Sequence, residues 1–285
     1  MNQIAETTGE FDGSDGIKLF YRHCQAPAER ARMVISHGLG EHSGRYGNVI
    51  ERVLPKGISV WVCDHRGHGR SEGQRGHVLN FDQYLSDLRL MVEMAKQDMT
   101  AALPCFLLGH SMGGLIALYF AQRYSGLIDG VVASSPCLGM VIEIPATKKV
   151  LGSLMSYLWP SLSMGNELDA TKISRDRNVV SAYENDQLVH NRVSARFFTE
   201  LLAAMETVNR QAPALTVPVL MQVAAEDHLV SASASQHFFE NLSVEDRTLH
   251  VYDGLYHEIY NAPEDEKQRV LDDLAAWLEK RMTVE

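Results

Sequence analysis

The chain has 285 residues, 45% hydrophobic and 22% charged, with 36 acidic against 26 basic side chains and a formal net charge of −10. This length and apolar content suffice for one large core plus an insertion. The acidic balance excludes nucleic acid, whose phosphates need clustered lysine and arginine, and suits a neutral substrate better than a strongly anionic surface.

In chain order, a short N-terminal hairpin is followed by residues 32–36, an apolar strand that runs into His37-Gly38-Leu39-Gly40, where glycine lets backbone approach a neighbouring group closely. That loop and a later strand reaching Asp64 imitate a dinucleotide-binding unit. The third glycine of that fingerprint would fall at Ser43, however, and Asp64 opens a glycine-rich turn, Asp64-His65-Arg66-Gly67-His68-Gly69-Arg70-Ser71, so nucleotide binding is not expected. Residues 81–98 form an amphipathic helix with Leu85, Leu88 and Val92 on its core face.

Residues 104–108 read as a buried strand and 114–121 as a helix, with Gly109-His110-Ser111-Met112-Gly113 between them. A G-x-S-x-G run in that context is a nucleophile elbow: the tight turn strains the serine backbone, lifts its hydroxyl above the sheet edge and sets it at a helix N-terminus. Leu39 N–H and Met112 N–H are the expected oxyanion donors. After a strand ending near Ala133, the interval from Ser134 to Thr216 is far longer than one crossover helix needs, so a helical cap over 137–206 is expected between core segments 1–136 and 207–285. Val150-Leu151, Leu154-Met155 and Leu158-Trp159 recur there at helical spacing, as do Phe197-Phe198, Leu201-Leu202 and Met205. These stripes either pack onto the body of the fold or, the reading preferred here, line an acyl tunnel, through Leu154 and Leu158 in particular, and bring the first cap helix into transient contact with membrane or lipid aggregates.

Residues 217–223 form a buried strand ending in Ala224-Ala225-Glu226-Asp227, which offers a carboxylate: Asp227, with Glu226 as the alternative. Residues 247–252 form another strand, with His250 inside it and His257 in the loop beyond. The loop histidine is the better candidate base because it can reach over Ser111. The helix over 263–282 closes the chain with Val270, Leu274 and Leu278 inward. Strands alternating with helices imply a mostly parallel sheet with its site at the carboxyl ends of the strands.

Four scattered cysteines, Cys24, Cys63, Cys105 and Cys137, read as reduced and buried. Among the histidines, His65-x-x-His68 with His37, His42 and His110 would be the nucleus of any metal site. None has H-E-x-x-H spacing or a cysteine partner, and neither a metal nor another cofactor is expected. No leader peptide opens the sequence and no apolar run approaches the roughly 18 residues of a membrane span, so a cytoplasmic protein is expected.

Residues 37–46 (His37-Gly38-Leu39-Gly40-Glu41-His42-Ser43-Gly44-Arg45-Tyr46), 64–73, Gly109-His110-Ser111-Met112-Gly113-Gly114 and Gly254-Leu255-Tyr256-His257-Glu258 together resemble the monoacylglycerol lipase group of α/β-hydrolases, which also includes lysophospholipase-like proteins. The resemblance implies an α/β-hydrolase fold with a helical cap after the sixth strand. It also implies a triad of Ser111, Asp227 and His257, with oxyanion donors at Leu39 and Met112. Gly38, Glu41 and Arg45 match the glycerol end of the group's site, and Tyr260 stands where animal lipases of the group carry a histidine. The activity implied is serine ester hydrolysis of a neutral single-chain lipid ester. Lysophospholipase or general carboxylesterase action would use the same triad. An aminopeptidase would need an amine-binding cluster, for which Glu143, Glu167, Asp169, Glu184 and Asp186 of the cap are candidates, and a purely ligand-binding role would leave the triad unused.

Overall fold

The computed structural model describes residues 5–97, 103–142, 145–166 and 168–282. The hairpin pairs β1 (Glu6–Asp12) antiparallel with β2 (Lys18–Cys24), and β2 pairs antiparallel with β4 (Ile58–Cys63). All further pairings within this sheet are parallel, through β3 (Ala31–Ser36), β5 (Cys105–His110), β6 (Gly130–Ser134), β9 (Val219–Ala224) and β10 (Arg247–Tyr252), in the order β1-β2-β4-β3-β5-β6-β9-β10. The fold is the mostly parallel α/β-hydrolase sheet flanked by helices.

Strand alternation divides the core in two. Met33, Ile35, Phe106, Leu108 and Val132 face α1 (Gly47–Val53) and α8 (Glu264–Met282), where Val49, Ile50, Val270, Leu274 and Leu278 meet them. Val34, Leu107 and Val131 face α2 (Asp82–Lys96) and α3 (Met112–Arg123), packing with Leu85, Leu88, Val92 and Leu115. Because β3, β5 and β6 are covered on both faces, they read as continuous apolar runs.

Register aligns the strand ends. Ser36 lies opposite Gly109, His110 opposite Ser134, Ser134 opposite Gln222, and Ala224 opposite Tyr252. The loops after β3, β5, β9 and β10 therefore open along one edge of the sheet.

Between β6 and β9 the chain forms α4 (Ala146–Leu158), a two-stranded sheet of β7 (Ser163–Gly165) and β8 (Arg192–Ser194), α5 (Arg177–Glu184) and α6 (Ala195–Arg210). Three-residue strands are too short to carry a readable periodicity in the sequence. The boundary expected at 206/207 falls inside α6, whose Phe197, Leu201, Met205 and Val208 join the core shared by α2 and α3. The apolar stripe of α4 instead faces outward, with Val150 70% and Leu158 65% exposed. Between β9 and β10 lies α7 (Ala232–Glu240). Among the described residues no helix is long and apolar enough to cross a membrane.

Candidate active site

Ser111 sits between β5 and α3 at φ 55°, ψ −118°, a conformation of order 1–3 kcal/mol above the ordinary regions for a residue with a Cβ. The turn is held from both sides: Ser111 N–H donates to the Ser134 carbonyl (3.0 Å), and the Ser111 carbonyl accepts from Leu115 N–H (3.1 Å) and Cys137 N–H (2.9 Å). The flanking glycines answer to contact. A Cβ at Gly109 would lie 2.1 Å from the Gly113 carbonyl oxygen, and one at Gly113 would lie 2.0 Å from that of Ser36. Met112 is the first residue of α3, so its N–H has no acceptor one turn earlier in the helix.

The loops after β9 and β10 bring Asp227 and His257 together, with His257 Nδ1 2.6 Å from Asp227 Oδ2 and both side chains buried. Asp227 Oδ1 accepts from Leu229 N–H (2.8 Å) and Val230 N–H (3.0 Å). Burial alone would raise the Asp227 pKa, but the His257 ring and these two donors outweigh it and hold the carboxyl below its ordinary value. For His257 burial pushes downward, and the adjacent carboxylate outweighs it, raising the imidazole above its usual pKa. His257 Nδ1–H donates a hydrogen bond to the carboxylate and keeps its proton, which leaves Nε2 as the acceptor. Glu226 is exposed, and His250 lies in β10 near Asp273, so neither alternative makes this pair. The His110 ring packs 4.7 Å from that of His257; burial, reinforced by His257, pushes its pKa down to about 4.

The loop after β3 runs beside the elbow: a Cβ on Gly38 would stand 3.3 Å from Ser111 Cβ. Half-buried Leu39 follows it. Glu41 is buried and faces its own chain. Its Oε1 accepts from Gly38 N–H (2.5 Å) and Tyr46 O–H (2.7 Å), and its Oε2 from Arg45 Nε (3.2 Å). Burial would raise the Glu41 pKa, but His110, Arg45 and His37 together with the Tyr46 hydroxyl hold it at about 2. The other end of Arg45 grips both oxygens of Glu258 (2.7 and 2.5 Å), and its guanidinium lies 4.8 Å over the Tyr183 ring. Glu258 was visible in the motif around His257, and a buried arginine beside a single carboxylate is the signal that could have identified it as the second partner.

The segment between β6 and β9 is stitched to these loops. His190 N–H donates to the Gly40 carbonyl (2.9 Å), where Gly40 at φ 80° admits no side chain because a Cβ would meet the His190 oxygen at 2.4 Å. His42 Nε2 lies 2.8 Å from Asp186 Oδ2. Glu258 N–H donates to the Ile173 carbonyl (2.8 Å).

Other candidates fall elsewhere. The Tyr260 hydroxyl donates to Gln222 Oε1 (2.6 Å) in a buried network that continues to Tyr252, so its proton is committed to the core. Leu154 and Leu158 lie on the exposed face of α4. Asp64 links loops, accepting Ser43 N–H (2.7 Å) and Arg70 N–H (2.8 Å). The histidines are similarly engaged, His65 Nε2 with Ser36 Oγ (2.9 Å) and His110 Nδ1 with Ser134 Oγ (3.3 Å), and no group of three or more potential metal ligands converges among the described residues. Of the acids suggested for an amine site, Asp169 caps a turn, Asp186 faces His42 and Glu184 is exposed; Glu143 and Glu167 lie outside the described residues.

A family model described as serine aminopeptidase, S33, matches residues 27–264. The monoacylglycerol lipase of Mycolicibacterium smegmatis is 36% identical over 283 residues, covering 96% of this chain and 98% of its own. The phospholipase YtpA of Bacillus subtilis is 35% identical over 238 residues, covering 83% and 91%. The crystal structure of Paleococcus ferrophilus monoacylglycerol lipase superposes with a TM-score of 0.85 at 34% identity, covering 92% of this chain and 99% of that one.

Proposed function

The chain belongs to the serine aminopeptidase S33 family, as a monoacylglycerol-lipase-like α/β-hydrolase, and on that premise we propose that it cleaves monoacylglycerols or similar neutral single-chain lipid esters through a Ser111 acyl-enzyme. The observation that carries the reading is the buried 2.6 Å pair of His257 and Asp227 on loops that open beside the strained Ser111 turn. In the proposed reaction His257 Nε2 takes the Ser111 proton as Oγ attacks the ester carbonyl. The N–H groups of Leu39 and Met112 stabilise the oxyanion, and the protonated ring then passes its proton to the departing alcohol. Water activated by the same ring releases the fatty acid, while Asp227 holds the imidazole in its Nδ1–H tautomer.

A neutral head group is favoured because Arg45, a buried cation in the loop after β3, is already matched by Glu41 and Glu258 and has no charge left for a phosphate. A phospholipase is the second reading, favoured by the resemblance to YtpA. We also propose that the segment between β6 and β9 acts as the cap and that the exposed apolar face of α4, with Leu154 and Leu158, meets lipid aggregates.

The test is hydrolysis by wild type and Ser111→Ala of a chain-length series of monoacylglycerols, with lysophosphatidylcholine and an aminoacyl anilide as comparators. Preference for monoacylglycerol, and a loss of roughly 10⁴- to 10⁶-fold in the variant, are expected. Activity confined to a comparator moves the substrate, and an active Ser111→Ala removes the mechanism. For the cap surface, Leu154→Glu with Leu158→Glu should weaken liposome binding and long-chain turnover in a folded protein; unchanged values dismiss that part.

A further inference from the structure

Immediately before the proposed oxyanion loop stands a fully buried histidine that the mechanism above leaves unused. His37 Nδ1 lies 2.7 Å from the Gly38 carbonyl oxygen, and His37 Nε2 lies 2.9 Å from the backbone nitrogen of His65. A carbonyl only accepts, so Nδ1 must carry a proton; a backbone N–H only donates, so Nε2 must be bare. Two independent contacts thus select one neutral tautomer. Burial favours the neutral ring, displacing the His37 pKa downward. His65 is held in turn, with its Nε2 2.9 Å from Ser36 Oγ at the end of β3.

The Gly38 carbonyl belongs to the same peptide group as Leu39 N–H. That peptide is trans, so the N–H points opposite to the carbonyl. Fixing the carbonyl oxygen on His37 therefore fixes the direction of the Leu39 N–H, and a hydrogen bond accepted at the carbonyl polarises the N–H at the other end of the group. The preceding peptide is fixed too, since Gly38 N–H donates to Glu41 Oε1 at 2.5 Å. We propose that His37 is a positioning residue of the oxyanion hole, its Nδ1–H orienting and polarising the Gly38–Leu39 peptide whose N–H receives the developing charge. The inference rests on the ester-hydrolase reading of Ser111. It also accounts for a histidine where a buried apolar side chain would fill the same space: only a donor can hold the carbonyl, and only a ring bare at Nε2 can accept from His65.

The test compares His37→Leu and His37→Asn with wild type on p-nitrophenyl butyrate, under conditions where Ser111→Ala is inactive. In His37→Leu, kcat falls about 10- to 100-fold, less than the roughly 10²–10³ lost with an oxyanion donor itself, at a KM within about twofold of wild type. Affinity for a trifluoromethyl ketone that adds to Ser111 as a hemiketal falls by the same factor. His37→Asn, whose amide can donate to the Gly38 carbonyl, recovers most of both. A kcat for His37→Leu within about threefold of wild type, an unmoved ketone affinity, or a His37→Asn as impaired as His37→Leu overturns the assignment. Should His37→Leu fail to fold, long-range proton–nitrogen NMR of the unmodified protein at neutral pH decides: a proton on Nδ1 supports the role, and one on Nε2 overturns it. Retention of hydrolysis in Ser111→Ala would defeat the ester-hydrolase reading and is distinguishable from both.

Discussion

Asp227→Asn probes the candidate triad with the least change of shape. The two acceptor bonds at Asp227 Oδ1, from Leu229 and Val230 N–H, dictate how an asparagine would sit. With its carbonyl there, the amide NH₂ faces His257 Nδ1; flipped, the NH₂ would oppose two backbone N–H donors. Losing two hydrogen bonds at about 1 kcal/mol each disfavours the flip by at least about 2 kcal/mol, or roughly thirtyfold. The favoured orientation presents a donor to Nδ1 and forces the imidazole proton onto Nε2, so the ring cannot accept from Ser111. On p-nitrophenyl butyrate kcat should fall about 10⁴-fold with little change in KM. The pH profile gives a second readout. The base must be neutral, so wild-type kcat/KM declines as pH falls through a His257 pKa that Asp227 holds above 6.5. Without the Asp227 charge, burial is opposed only by the weaker pull of Glu258 and Glu41, and the acid limb of the residual activity should move to lower pH. Retention of more than about a tenth of wild-type kcat, or an acid limb that stays in place, would show that Asp227 does not set the His257 tautomer and charge.

Arg45→Leu leaves Glu41 and Glu258 buried without their shared cation, which should cost about 3–5 kcal/mol and lower Tm by roughly 5–8 °C; a Tm within about 2 °C of wild type in differential scanning calorimetry contradicts this. Gly113→Ala drives a Cβ against the Ser36 and His37 carbonyl oxygens at 2.0 and 2.5 Å, backbone atoms that cannot rotate away. It should cost at least about 3 kcal/mol by denaturant unfolding, whereas Gly47→Ala, with open space around the added Cβ at the start of α1, should be neutral or stabilising by up to about 1 kcal/mol. Acid should destabilise the fold early. Burial lowers the pKa of His37, His65, His68, His110 and His190, so the unfolded chain takes up protons first as pH falls below 6.5, and stability drains until the folded values are reached. His110, at about 4, alone withdraws about 3 kcal/mol over that interval. A Tm that is flat between pH 6.5 and 4 would show that these rings are not held neutral.

Much of the fold was legible because its signals are local. Apolar runs at 32–36 and 217–223, helical stripes such as Leu85, Leu88 and Val92, and glycines on both sides of Ser111 each constrain the chain within a few residues, and β3, β9, α2 and the elbow form where those patterns lie. The alternation of strands and helices, the serine between two glycines and the order in which a carboxylate and a histidine follow it are all written in local residue order. Pairings across the chain were decided by tertiary structure alone. Asp227 rather than Glu226 meets His257 because the β9 loop buries one carboxylate and exposes the other. Arg45 meets Glu258 across 213 positions and His42 meets Asp186 across 144, separations over which no periodicity carries information. The two apolar stripes between β6 and β9 look alike as sequence, yet α6 enters the core while α4 faces outward. A hydrophobic period specifies that a face is apolar; what that face meets depends on which surfaces the folded sheet leaves uncovered.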